Sequence, residues 1–143
     1  MRYDRQMILP EIGEEGQRKL KQAKVLIVGV GGLGSPIALY LAGAGVGCIG
    51  LVDDDVVSIS NLQRQVLYSE KELGKPKAIC AAERLSALNS ETTSQPYPTR
   101  LTEENAQEII SQYDIVVDGC DNFPTRYLIN DICAKTGKVY VYG

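Results

Sequence analysis

The chain has 143 residues, a formal net charge of −3 at pH 7 and 44% hydrophobic residues. This length supplies the core of one domain, and the acidic balance leaves no broad basic face that would neutralise a nucleic-acid backbone, so we expect no DNA or RNA partner. Histidine is absent, which removes the commonest general base and every zinc site that contains histidine.

The apolar pattern predicts strands that alternate with helices along the chain. Helices are expected over 14–23, 35–44, 75–89, 103–111 and 123–135, a short helical turn over 61–67, and strands over 25–28, 48–52, 94–97, 114–118 and 138–142. Such strands pair in parallel through right-handed crossovers. The predicted fold is therefore α/β, a Rossmann-like, doubly wound, mainly parallel sheet with flanking helices.

Two of the predicted helices are preceded by residues that are typical of helix N-caps. Ser35 is expected to cap the helix after the first strand, with Pro36 in its first turn, and Thr102 is expected to cap the helix that begins at Glu103. The glycines and Pro36 also interrupt the uncharged run from Val25 to Val52, so a strand–turn–helix–strand unit explains this run better than a membrane-spanning helix.

The four cysteines, Cys48, Cys80, Cys120 and Cys133, are scattered and form no CxxC pair. Isolated cysteines of this kind are typical of reduced packing residues in a cytoplasmic protein. The N-terminus lacks the apolar core of a signal peptide. We therefore expect a cytoplasmic location, no membrane partner and no structural metal within these residues.

A glycine loop lies directly between the first predicted strand and the helix that follows it. Gly29, Gly31 and Gly34 have the spacing GxGxxG, which allows a tight turn and close approach of backbone N–H groups to phosphate. Asp53 follows about twenty residues later, where an acid can accept hydrogen bonds from ribose hydroxyls. The loop could instead be a turn packed for its own sake, but its context favours nucleotide binding. Asp55, slightly further on, could help to hold a metal.

A dense polar segment separates this chain from an ordinary dinucleotide-binding protein. Asn61, Gln63, Arg64 and Gln65 bring amide groups and a guanidinium close together, and Lys77 follows at the start of a helix, another position suited to phosphate. A dehydrogenase would not need these groups. An exposed helical turn is the alternative interpretation of the same residues.

Two acids and an amide follow a later strand, in the segment from Asp118 to Asn122. Asp121 is a candidate Mg²⁺ ligand, because Mg²⁺ usually takes one or two carboxylates together with phosphate oxygens. Asp118 could instead end its strand or orient the loop. Cys120 is expected to be a packing residue, since no base for a nucleophile lies nearby.

In order and spacing, these segments resemble the ThiF/MoeB/HesA family of adenylyltransferases, bacterial relatives of the adenylation domain of ubiquitin-activating enzyme. The resemblance lies in Arg2-Tyr3-Asp4-Arg5-Gln6, the glycine loop, Asp53-Asp54-Asp55, Ser60 to Gln65, Gly74-Lys75-Pro76-Lys77 and Asp118 to Asn122. It implies ATP-dependent adenylation of the C-terminal glycine of a ubiquitin-like sulfur-carrier protein ending in Gly-Gly, with release of pyrophosphate, as in thiamine or molybdopterin biosynthesis.

The resemblance also implies a site. It gives backbone contact to Gly32, ribose contact to Asp53, phosphate contact to Asn61, Arg64 and Lys77, and Mg²⁺ to Asp121, and it makes Arg5 a residue donated to the ATP of the neighbouring subunit in a homodimer. The expected catalytic residues are Arg5, Arg64, Lys77 and Asp121, and the expected nucleotide-binding residues are Gly29, Gly31, Gly32, Gly34, Asp53, Asp55, Asn61, Gln63, Arg64, Lys77 and Asn122.

Residues 1–143 are thus expected to form a single ATP-binding adenylation domain that is truncated at its C-terminal end. The family's paired CxxC zinc motifs would lie beyond Gly143, so zinc is expected only in that missing part. Two other functions remain open on the residues alone. One is an NAD(P)-dependent Rossmann oxidoreductase, and the other is a noncatalytic, dimeric nucleotide-binding module.

Overall fold

The computed structural model describes every residue from Met1 to Gly143. In chain order its helices and strands are α1 (Asp4–Met7), α2 (Gly13–Gln22), β1 (Lys24–Val28), α3 (Gly34–Ala44), β2 (Cys48–Val52), α4 (Lys77–Leu88), β3 (Thr93–Tyr97), α5 (Ala106–Ile110), β4 (Ile115–Asp118), α6 (Phe123–Thr136) and β5 (Val139–Tyr142). Two short 3₁₀ turns, Ile59–Asn61 and Glu70–Glu72, lie between β2 and α4.

The five strands form one parallel sheet in the order β3-β2-β1-β4-β5. This arrangement confirms the predicted doubly wound α/β fold. The register pairs Val28 with both Val52 and Asp118, and pairs Val52 with Tyr97. Four neighbouring strands therefore end at the same level, and the loops that follow them meet at one edge of the sheet.

Helices cover both faces of the sheet, as the continuous apolar run of β1 requires. Val25 and Ile27 pack with residues of α3 and α4 in one buried cluster, whereas Leu26 and Val28 pack with residues of α5 and α6 in another. This alternation follows from the two-residue period of a strand. None of the helices combines the length and the apolar character that crossing a bilayer requires.

Two of the predicted helix caps are wrong. The residue before α3 is Leu33, and the hydroxyl of Ser35 donates to the carbonyl of Gly31 within the loop instead of capping. Helix α5 begins at Ala106, after a turn in which Asn105 Oδ1 accepts from the N–H of Thr102 at 2.8 Å. The same side chain donates to the carbonyl of Arg100 at 2.9 Å, so Asn105 fixes a separate turn that the regular helix follows. The helical turn expected over 61–67 also lies earlier, at Ile59–Asn61.

Candidate functional site

A cavity of about 640 Å³ opens at the edge of the sheet where the strands end. Its size is in the usual range for a small-molecule site. Its wall is mainly polar. Of the predicted site residues it contains Gly29, Gly31, Gly32, Asp53, Asp55, Asn61, Arg64, Lys77, Asp121 and Asn122. The fold thus brings together, from three separate loops and the start of α4, most of the residues that the sequence singled out.

Three predicted site residues do not line this cavity. Gly34 lies beneath the glycine loop, where a Cβ would overlap the carbonyl oxygen of Gly29. Gln63 is exposed and is not part of the cavity wall. Arg5 is exposed on α1 and lines neither this cavity nor its rim. Gly34 therefore shapes the loop by close packing, and Arg5 would have to act outside its own subunit.

The glycine loop packs directly on the loop that follows β4. Gly29 has φ +88°, and a Cβ there would lie 2.8 Å from the backbone nitrogen of Cys120. Only glycine tolerates both the left-handed conformation and this approach. Gly31 and Gly32 face the cavity beside the side chains of Gln65 and Arg64. The backbone of the glycine loop is therefore not covered by Cβ atoms of its own at a place where a phosphate could approach.

Asp53 ties the glycine loop to the end of β2. Its Oδ2 accepts from the N–H of Val30 at 2.9 Å, and its Oδ1 accepts from the N–H of Asp55 at 2.8 Å. Each oxygen of a carboxylate has a second lone pair. Asp53 is thus held in place by the backbone and can still accept hydrogen bonds from a ligand in the cavity.

Lys77 and Asp55 form an ion pair at the cavity wall. Lys77 Nζ lies 3.2 Å from Asp55 Oδ2, and the side chain of Lys77 is only 5% exposed whereas that of Asp55 is 64% exposed. The backbone N–H of Val56 and, after it, Lys77 lower the pKa of the Asp55 carboxyl. An ammonium group has three N–H donors, so Lys77 retains donors for an anion in the cavity.

Asn61 and Arg64 lie in the turn after β2 with different constraints. Asn61 Oδ1 accepts from the N–H and the hydroxyl of Ser58, at 3.2 and 3.0 Å, and so fixes the turn. Its amide nitrogen makes no hydrogen bond within the chain. Arg64 is exposed, and its Nη1 donates to the carbonyl of Ser60 at 3.3 Å. Both side chains offer N–H donors to the same part of the cavity.

The loop after β4 holds Asp121 between two fixed neighbours. Cys120 is bonded through its N–H to Asp118, and Asn122 caps α6 by accepting from the N–H of Thr125 at 2.9 Å. Asp121 itself is exposed and makes no hydrogen bond or ion pair. No three acidic or cysteine side chains of the chain are grouped to hold a metal. A Mg²⁺ ion here would fit only as a shared ion, with one carboxylate and the oxygens of a phosphate ligand.

Several polar residues that line the cavity were not among the predicted site residues, notably Gln65, Arg100 and Arg126. Gln65 is 3% exposed, and its Oε1 is buried without a hydrogen-bond partner. Its place in the polar segment was a signal, but nothing in the sequence distinguished it from the exposed Gln63. Arg100 follows the end of β3, and that position at the carboxyl end of a parallel strand was an available signal. Arg126 lies within α6, and its role depends on contacts that the sequence does not reveal.

The N-terminal segment is anchored on the side of the molecule formed by the ends of α3 and α4. Arg2 Nη1 donates to the carbonyl of Leu88, and the Tyr3 hydroxyl donates to Glu91 and accepts from Asn89. Further along, Gln6 donates to the carbonyl of Ala44. Arg5 has no such contact, and Asp4 bonds only to the N-terminal amine of Met1. The segment is therefore fixed while its central guanidinium stays free.

The chain belongs to the ThiF family, whose model matches residues 3–143. It is 56% identical over 142 residues to the sulfur carrier protein adenylyltransferase of Thermus thermophilus, covering 99% of this chain and 52% of that protein. It is 50% identical over 142 residues to a probable molybdopterin-synthase adenylyltransferase of Porphyra purpurea, covering 99% of this chain and 37% of that protein. The chain thus spans about half the length, or less, of these curated relatives.

A solved structure shares the fold. The E. coli tRNA N6-threonylcarbamoyladenosine dehydratase TcdA, in complex with ATP, superposes with a TM-score of 0.92 at 29% identity, over 99% of this chain and 58% of that chain. The fold of this chain is therefore one that binds ATP in a related protein.

Proposed function

We propose that residues 1–143 form the nucleotide-binding domain of an adenylyltransferase, which uses ATP to adenylate the C-terminal glycine of a ubiquitin-like sulfur-carrier protein and releases pyrophosphate. The observation that carries the proposal is the composition of the cavity. It combines Arg64 and Lys77, two of the four cationic side chains in its wall, with the free carboxylate of Asp121 and the backbone-held carboxylate of Asp53. A site for hydride transfer alone would need neither the two cations nor Asp121.

The relatives support both the reaction and its acceptor. The Thermus protein is named for a sulfur carrier protein, and the Porphyra protein for molybdopterin synthase. The dehydratase TcdA is named for a tRNA nucleoside, but its identity of 29% is well below the 56% of the carrier enzyme. We therefore favour a protein carrier as the substrate and leave the choice between thiamine and molybdopterin biosynthesis to experiment.

The proposed reaction suits a site without histidine. The nucleophile is a C-terminal carboxylate with a pKa near about 3.5, so it is already ionised at neutral pH and needs no general base. The site has to align this carboxylate with the α-phosphorus and stabilise the charge that passes to pyrophosphate. Arg64, Lys77 and the amide of Asn61 would act on the phosphates, and Asp53 on the ribose.

Magnesium is the cofactor that we propose for this site, with Asp121 as its protein ligand. When bound, the ion would neutralise part of the phosphate charge. Asp55 would act mainly through Lys77, whose ammonium it holds at the cavity wall. Gln63, which lies outside the cavity, remains a prediction, as does zinc in sequence beyond Gly143.

We further propose that the protein acts as a homodimer in which Arg5 enters the cavity of the neighbouring subunit. The side chain of Arg5 makes no hydrogen bond or ion pair in its own subunit, although Tyr3 and Gln6 on either side of it are anchored. Exposed apolar residues lie beside it at Ile8 and Leu9, and beside the cavity at Ile59 and Val66. Contact between two such surfaces would bury these apolar groups. The four free thiols are in keeping with a reducing cytoplasmic location.

ATP–pyrophosphate exchange in the complete protein, with Mg²⁺ and a carrier ending in Gly-Gly, tests the proposal. Arg64→Ala and Asp121→Ala are each expected to lower the exchange rate by about 10²–10³-fold, the typical effect of losing one transition-state contact. Arg84→Ala, an exposed position on α4, is the matched control and should exchange as wild type does. Wild-type rates in both site variants, or tight NADH binding without ATP binding, would overturn the assignment. ATP binding without any carrier adenylate would instead favour a noncatalytic module.

Mixing variants tests the role of Arg5. Arg5→Ala and Asp121→Ala proteins are each expected to be inactive alone. After subunit exchange, a mixed dimer contains one site with both an intact Asp121 and a donated Arg5, so part of the activity should return. Absence of recovery, with subunit exchange demonstrated by a fluorescent label, would contradict action across the dimer.

A further inference from the structure

The guanidinium of Arg126, a residue of the cavity wall, connects three parts of the molecule. Its Nη2 donates to the carbonyl of Cys120 at 2.9 Å and to the carbonyl of Gly143 at 3.0 Å. Its Nε lies 3.6 Å from Asp118 Oδ2, and the group lies 5.9 Å from the ring centroid of Tyr142. Arg126 thus joins α6 to the loop after β4 and to the end of β5.

Asp118 holds the same loop from the other side. Its side chain is fully buried, Oδ1 accepts from the N–H of Cys120 at 2.9 Å, and Oδ2 accepts from the hydroxyl of Tyr140 at 2.6 Å. The N–H of Cys120 is therefore held by Asp118 while its carbonyl is held by Arg126. Side-chain hydrogen bonds therefore hold both the N–H and the carbonyl of the residue that precedes Asp121.

The ion pair between Arg126 and Asp118 is expected to add little to the stability of the fold. Burial of an ion pair gives little net stabilisation, because both ions lose hydration, and here Arg126 Nε is buried without a hydrogen-bond partner. Packing alone does not require a charged group at this position. A rigid loop matters most for the position of Asp121, because the side chain of Asp121 makes no hydrogen bond or ion pair within the chain.

We propose that Arg126, working with Asp118 and Tyr140, is a positioning residue that fixes the carboxylate of Asp121 for magnesium held together with nucleotide phosphate. This inference rests on the proposed function and adds to it. Preorganised ligands raise affinity because the cost of ordering them is met during folding. Loosening the loop should therefore weaken the effect of Mg²⁺ on nucleotide binding more than it weakens binding of the nucleotide itself.

Calorimetric titration of the complete protein with a non-hydrolysable ATP analogue, with and without Mg²⁺, tests this inference. Arg126→Lys keeps the charge but replaces a planar group, whose Nη2 bonds both carbonyls while its Nε faces Asp118, with a single ammonium. We expect the Mg²⁺ concentration for half-maximal enhancement of binding to rise about tenfold, with little change in metal-free affinity. Tyr140→Phe, which removes only one support of Asp118, should give a smaller shift. Arg84→Lys on the surface of α4 is the control.

An unchanged Mg²⁺ requirement in Arg126→Lys, or an equal loss of affinity with and without the metal, would overturn the inference and leave Arg126 with a purely structural role. Thermal unfolding of each variant shows whether the protein under test is folded. If Arg126→Lys is unfolded, the Tyr140→Phe titration decides the question by the same criterion. Absence of ATP–pyrophosphate exchange in wild type would count against the proposed reaction, whereas the binding titration would still decide the role of Arg126.

Discussion

The hydroxyl of Tyr3 accepts a hydrogen bond from Asn89 Nδ2 at 2.8 Å, although 86 residues separate the two in sequence. The same hydroxyl donates to Glu91 at 2.9 Å, and Asn89, which is fully buried, also donates to the carbonyl of Ala42. One phenol thus ties the N-terminal segment to the turn after α4. In this way the fold anchors the segment that presents Arg5.

Tyr3→Phe should lower the free energy of unfolding by about 1 kcal/mol, because it removes two hydrogen bonds while Asn89 keeps its bond to Ala42. If the anchoring serves Arg5, exchange activity should fall together with stability. Chemical denaturation and ATP–pyrophosphate exchange measure the two effects. Tyr40→Phe, at a position that is 80% exposed, should alter neither. Equal stability of Tyr3→Phe and wild type would show that the phenol is not an anchor.

The Lys77–Asp55 pair should respond asymmetrically to substitution. Lys77→Met leaves Asp55 in water, so we expect a small change in stability but a fall of about 10²-fold in exchange, from loss of a phosphate contact. Asp55→Asn instead leaves a buried ammonium with a weaker partner and should cost about 1–2 kcal/mol of stability. Lys75→Met, an exposed neighbour, is the control for both measurements. A larger stability loss in Lys77→Met than in Asp55→Asn would contradict this account.

The pair also has a defined pH dependence. The pKa of the Asp55 carboxyl is lowered in the folded state, so its stabilising contribution is present above the unfolded value of about 3.9 and is lost as the pH falls through the lower folded value. Between pH 5 and pH 8 the ionisation of Asp55 is therefore expected to contribute no pH dependence to the free energy of unfolding.

Much of the fold could be predicted because it depends on short, local patterns of residues. The run from Val25 to Val28 is apolar on both faces, and the glycine spacing has a direct steric cause at Gly29 and Gly34. By contrast, the start of α5 at Ala106 follows a turn that the side chain of Asn105 fixes through Thr102 and Arg100, and the pattern that favours helix from Glu103 does not reveal these bonds.

The sequence could not separate polar residues that hold the loops from those that face a ligand. Asn61 and Asn122 line the cavity, yet both use their side-chain oxygen to fix a turn or a helix start. Gln63 and Gln65 look alike in sequence, but the turn after β2 exposes the first and buries the second. The role of Arg126 requires β4 and β5 to be neighbours, which is a property of the whole sheet.

Two glycines of the same helix should respond in opposite ways to alanine. In Gly34→Ala the new Cβ would overlap the carbonyl oxygen of Gly29, so the glycine loop must move and we expect a loss of about 3 kcal/mol. In Gly43→Ala the Cβ meets no atom within 4 Å, and alanine should stabilise α3 by about 0.5 kcal/mol. Thermal and denaturant unfolding measure both values. Similar effects of the two substitutions would contradict the close packing at Gly34.

Cys120 lies at the cavity, and its reactivity should be low. Burial and, after it, the hydrogen bond with Asp118 raise the pKa of its thiol to about 11. Because the thiolate is the reactive form, alkylation by iodoacetamide at pH 8 should be about 10²-fold slower than for an unfolded cysteine with a pKa of about 8.5. The rate should increase as the pH approaches 11 and should reach the unfolded value in urea.

Peptide mapping by mass spectrometry after timed alkylation measures this rate for Cys120, and the buried Cys133 in the same sample is an internal comparison. The raised pKa also means that the neutral thiol stabilises the folded state below the unfolded value of about 8.5, and that this contribution declines as the pH rises through the folded value. Rapid labelling of Cys120 at pH 8 would contradict the packing role and would reopen the question of a covalent intermediate at this residue. Slow labelling would agree with a packing role for Cys120.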